Sequence, residues 1–105
     1  MSKPNLSYID QLSRGEESVK KTLIDVIKTE FPQEKKDYFE SVKENNFEKI
    51  EENVHRLKHK FSILGLEKSY KLANDFEHNL REKSIKGQQE FEKVLIIITN
   101  YLETI

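Results

Sequence analysis

The chain has 105 residues, room for one ordinary domain, and a net charge of -1. Eighteen Lys and Arg are interspersed with nineteen Asp and Glu, so there is no basic surplus of the kind a dedicated nucleic-acid binder carries. Cysteine is absent, which excludes a disulfide framework and a thiolate zinc site, and the longest apolar run, Val94 to Ile98, is far too short to cross a membrane.

The start, MSKPNLSYID, lacks the apolar core of a secretory signal. The expectation is therefore a single cytoplasmic domain over residues 1–105, working as a monomer with no nucleic-acid or membrane partner. Asn5 is placed to cap a short first helix carrying Leu6, Ile9 and Leu12, which Ser13-Arg14-Gly15 ends. A second helical pattern starts at Glu16 and carries Val19, Leu23, Val26 and Ile27. Pro32 interrupts it, because its ring clashes with the preceding turn and it has no amide hydrogen. Either the helix breaks there or one long helix continues through it, with Tyr38, Phe39 and Val42 downstream.

Asn46 is a good N-cap for the next helix, with Glu48 and Glu51 at the positive end of its dipole. Phe47, Ile50, Val54, Leu57, Phe61 and Leu64 follow at alternating spacings of three and four, a continuous apolar stripe. Gly65 marks its end. A further helix carries Tyr70, Ala73, Phe76 and Leu80; after Gly87 the last one carries Phe91, Val94, Leu95, Ile98, Leu102 and Ile105. The six phenylalanines fall at core spacing. No strand-like alternation persists. The predicted fold is all-α: an antiparallel four-helix bundle with a short N-terminal capping helix.

The segment Glu51 to Gly65 reads EENVHRLKHKFSILG. At about 100° per residue, Glu51, His55, Lys58 and Ser62 line up on the shoulder of the apolar stripe. His55 is then partly exposed on a rigid helix with Lys58 one turn on, while Lys60 points to water. A neutral imidazole is a good nucleophile near neutral pH and can attack phosphorus. Lys58 lies within reach to offset charge on phosphoryl oxygens. A surface His followed by a Lys is also common with no function at all.

His55-Arg56-Leu57-Lys58, followed by Ser62, Leu64 and Gly65, resembles the signature of the histidine phosphotransfer family of two-component phosphorelays. The stretch NLSYIDQLSRGEESVKKTLIDVIKTEFPQEKKDYFESVKENNFEKI resembles the family's first helices, and residues 66–82 the helix after the histidine, with Phe76-Glu77 at its usual Leu-Glu. The resemblance implies a phosphocarrier without kinase activity of its own. His55 accepts the phosphoryl group from the aspartyl phosphate of a receiver domain, and a second receiver takes it on. Lys58 supports the group. Glu77 sits where some members hold the imidazole, though it reads equally as a solvated carboxylate. The partners implied are response-regulator receivers, including that of a hybrid histidine kinase, docking on apolar residues such as Ile9 and Ile24. This chain needs no cofactor; magnesium belongs to the receiver. One departure is plain: the family's usual Gly after the lysine is His59 here. His59 either crowds a partner or donates a hydrogen bond to the phosphate.

Two other readings stay open. A chain of the same fold can dock a receiver without transferring, with His59 as the obstacle. His55 and His59, four apart, can also chelate a metal, with His78 or a carboxylate as third ligand. The Glu-x-x-His pattern of di-iron bundles occurs once, at Glu52 to His55, and is not repeated.

Overall fold

Asn46 opens the helix on which the rest is assembled. Its side chain accepts a hydrogen bond from the Lys49 amide at 3.2 Å, satisfying one of the four donors that a helix start leaves free. Asn45 before it takes the left-handed conformation, φ 52°, and ends the preceding helix. The computed structural model describes residues 3–105, and every regular element among them is a helix: α1 (Ser7–Ser13), α2 (Glu17–Lys43), α3 (Phe47–Ile63), α4 (Glu67–Arg81) and α5 (Gln88–Leu102). Among these residues no helix is long and apolar enough to cross a membrane.

Pro32 lies inside α2 and does not break it. The buried face of α2 runs straight across the proline as Ile27, Phe31, Glu34, Tyr38 and Ser41. Pro32 itself sits on the solvent side. A mid-helix proline costs about 3 kcal/mol, and burial of Phe31 and Tyr38 on either side offsets it at about 1.5–3 kcal/mol per large side chain. At 1.5 Å per residue, α2 is about 40 Å long and spans most of the molecule's 44 Å long axis.

α3 packs against α4 on one side and α2 on the other; α4 contacts α5, α5 closes thinly back on α2, and α1 lies on α2. Phe91 of α5 is the hub. Its ring lies 5.1 Å from Tyr38, 5.3 Å from Phe61 and 5.3 Å from Phe76, so one side chain ties three other helices together. The turn after α3 depends on Gly65, at φ 76°. There a side chain would collide with Asn5, whose amide donates to the Leu64 carbonyl at 2.8 Å.

Several expectations are corrected. Ile9 is not on a docking surface: α1 turns Ile9 and Ser13 into the core and leaves Tyr8 and Leu12 outside. Ile24 is half-buried against the core. Val19, Val26 and Phe39 are exposed, whereas Phe31, Phe61, Phe76 and Phe91 are core. Asn5 stands one place before the cap position, which Leu6 occupies, and accepts from the Ser7 amide at 3.1 Å. Lys60 does not point to water. It is buried between α2 and α3, with its ammonium 2.9 Å from Glu30 and 3.3 Å from Glu34. Two carboxylates on the facing helix make that burial tolerable.

Candidate functional site

The α3–α4 seam brings together residues that the sequence scatters. On α3, Glu51, His55 and Lys58 follow one another at intervals of four and three; on α4, Tyr70, Asn74, Glu77 and Arg81 do so at four, three and four. The two rows face each other. Their centre is Glu77, whose side chain is only 6% exposed.

One carboxylate oxygen, Glu77 Oε1, serves two partners. It lies 3.2 Å from His55 Nδ1 and 3.1 Å from Lys58 Nζ. The solvated-carboxylate reading of Glu77 is thereby set aside. A carboxylate can only accept, so His55 carries a proton on Nδ1, and the neutral ring then presents Nε2 as the lone pair. The imidazole side chain is 57% exposed. It is thus anchored on one nitrogen and open to solvent elsewhere, on a helix that fixes its position.

Lys58 has a different place from the one expected. Its side chain is 7% exposed, not out on the shoulder. The ammonium donates to Asn74 Oδ1 at 2.7 Å, pairs with Glu77 and lies 5.3 Å from the centre of the Tyr70 ring. The cause is α4, which offers three partners in the seam where solvent was assumed. Lys58 and the Nδ1 of His55 thus meet the same oxygen of Glu77. What the ammonium balances is the charge of Glu77.

His59 stands at the other ring nitrogen of His55. Its Nε2 lies 3.4 Å from His55 Nε2, with the two rings edge-on at 4.9 Å between centres. Ser62 is exposed and, among the described residues, makes no side-chain hydrogen bond. Neither Ile9 nor Ile24 joins this group. Beside His55 an open groove runs along α3, lined by Glu48, Glu51, Glu52, His55 and Arg56. Arg81 pairs with Glu51 of this groove, donating at 2.7 Å, and lies 3.9 Å from Glu77; Glu51 drives its guanidinium further above its usual pKa. Among the described residues no three His, Cys, Asp or Glu side chains group as a metal site.

Asn74, Tyr70 and Arg81 were missed in the sequence. Their spacing with Glu77 on one helical face was the signal available.

The arrangement can hold one imidazole in a single tautomer, keep a lone pair toward solvent, and balance positive charge on the ring when it forms. Comparison with family models, curated proteins and solved structures found no match for this chain.

Proposed function

We propose that this chain is a histidine phosphotransfer domain that takes a phosphoryl group onto His55 Nε2 from one receiver and yields it to another. One observation carries the reading: an exposed imidazole whose Nδ1 is tied to the buried Glu77. In this reading α2, α3, α4 and α5 form an antiparallel four-helix bundle capped by α1, supported by the neighbour order of the helices and their short connections. The working unit is a cytoplasmic monomer, and its partners are response-regulator receivers.

A phosphorylated receiver docks over the His55 face of α3. The Nε2 lone pair attacks phosphorus in line, and the aspartyl carboxylate of the receiver leaves with the bonding pair. Glu77 steadies the Nδ1 proton as the ring becomes positive. Lys58 acts through Glu77, holding that carboxylate in place. Magnesium needed for such a transfer belongs to the receiver. Turnover resides in the pair of proteins, so the chain is a carrier without catalysis of its own.

The contact between His59 and His55 favours a second reading, a module that binds a receiver without accepting phosphate. Mixing the purified chain with phosphorylated receivers separates the two. The carrier acquires acid-labile, base-stable label that His55→Gln abolishes; the binding module forms a complex and stays unlabelled. Label that persists on His55→Gln contradicts the assignment.

A further inference from the structure

We propose that His59 is the phosphoryl-binding residue of this site. Its ring fills the place of phosphorus in the free chain, then donates to the phosphoryl oxygens once His55 carries the group. The inference rests on the phosphocarrier reading above and assigns the support of the phosphate to a residue other than Lys58.

Reacting atoms must approach to roughly 3–3.5 Å before a bond forms. His59 Nε2 holds that position, 3.4 Å from His55 Nε2 and in hydrogen-bonding geometry with it. The tautomers follow in sequence. Glu77 accepts from Nδ1; in the neutral ring His55 Nε2 is then an acceptor, and His59 Nε2 carries the donor hydrogen. Phosphorus and this N–H cannot occupy the lone pair together.

The nearby cations are engaged elsewhere. Lys58 is buried and engaged with Asn74 and with the Glu77 oxygen that meets His55 Nδ1. Arg56 turns toward α2, donating to Asp37 at 3.3 Å and to Asn53 at 3.2 Å. Arg81 holds Glu51. His59 is exposed and one turn from His55 on the same helix. A change of its side-chain rotamer moves the N–H off the lone pair and onto a phosphoryl oxygen.

The step balances. The Nε2–P bond forms from the His55 lone pair, and the P–O bond to the aspartyl carboxylate of the receiver breaks with its electrons on that oxygen. The Nδ1 proton stays on His55, where Glu77 offsets the positive ring. His59 loses no proton; its hydrogen bond changes acceptor from nitrogen to oxygen.

The test uses the full chain and phosphoramidate as a small phosphodonor, with wild type, His59→Ala, His59→Gln and His55→Gln in parallel. Removing His59 should speed the labelling of His55, since the phosphorus position is then empty. It should shorten the life of the phosphohistidine by about tenfold, the scale of one hydrogen bond to a charged group. His59→Gln, which keeps an N–H donor, should restore most of that lifetime. Equal lifetimes and equal labelling rates in wild type and His59→Ala overturn the role of His59 and leave His55 as carrier. A wild-type chain that takes no label, or a His55→Gln chain that does, overturns both. Without any phosphate, ring nitrogen shifts should give the Nδ1–H tautomer for His55 and Nε2–H for His59; the reverse pair contradicts the proposal.

Discussion

α3 carries two buried lysines that face opposite ways. Lys58 enters the α4 seam and pairs with Glu77, 7% and 6% exposed respectively; Lys60 enters the α2 seam and pairs with Glu34, 9% and 10% exposed. The chemistry of the pairs is the same, an ammonium and a carboxylate taken from water together. Their surroundings differ. Glu77 shares its paired oxygen with an exposed imidazole. Glu34 has Arg56 at 3.9 Å and no nucleophile, and Glu30 adds a second carboxylate for Lys60. A buried ion pair is therefore not a site by itself. It becomes a candidate where the carboxylate also orients a group that solvent can reach.

The largest effect is expected at Glu77. Glu77→Ala strands Lys58 in the seam and should cost about 3 kcal/mol of unfolding free energy, the scale of breaking a buried pair. It should also slow labelling of His55 at least about tenfold, because the ring loses its fixed tautomer. Denaturant unfolding and label uptake read the two effects separately. Glu34→Ala should cost less, since Glu30 still holds Lys60, and labelling should be untouched.

The α2 side can be removed altogether as the sharper contrast. Replacing both members, Lys60→Met with Glu34→Leu, exchanges a desolvated pair for apolar contacts. The double variant should match wild-type stability or exceed it by about 1–2 kcal/mol, with unchanged labelling. A loss of label in that variant would show that the two seams are coupled.

Tyr38 belongs to neither seam's ion pairs and supplies a pH probe. Burial first, and then its hydrogen bond to Glu92 at 2.9 Å, push its phenol far above the usual tyrosine value. The folded chain thus keeps this proton where the unfolded chain gives it up. The contribution is complete below the unfolded value of about 10 and declines as pH rises above it. Urea midpoints measured from pH 8 to 11 should fall on the alkaline side, and less steeply in Tyr38→Phe. That variant should lose about 1 kcal/mol near neutrality. The smallest effect is expected at Arg81, whose exposed guanidinium only pairs with Glu51 at the surface. Arg81→Ala should leave the urea midpoint unchanged and labelling within twofold, roughly the scale of a surface ion pair.

The helices were legible where one residue type fills a face. The α3 stripe from Ile50 to Leu64 and its Asn46 cap follow from spacing and side-chain chemistry alone. The continuity of α2 was not, because Pro32 is locally as compatible with a break as with one long helix, and only packing of the face on either side of it decides. Ile9 and Leu12 are both apolar on a short helix, and only docking decides that Ile9 goes in. The same limit applies to the lysines. That Lys58 and Lys60 are buried depends on carboxylates of α4 and α2, and no local pattern gives their pairing across helices. His55 was legible from its place on the α3 shoulder, whereas Glu77 came only through the family resemblance and read equally as a solvated carboxylate. The service of Lys58 to Glu77, and the closeness of His59 to the lone pair, are tertiary facts.

The account turns on which ring nitrogen of His55 is free. Nitrogen-15 and phosphorus-31 NMR of the labelled, phosphorylated chain reads that directly. Phosphorus bonded to His55 Nε2, with a proton retained on Nδ1 toward Glu77, is the predicted result. Phosphorus on Nδ1, or on another residue, would contradict it.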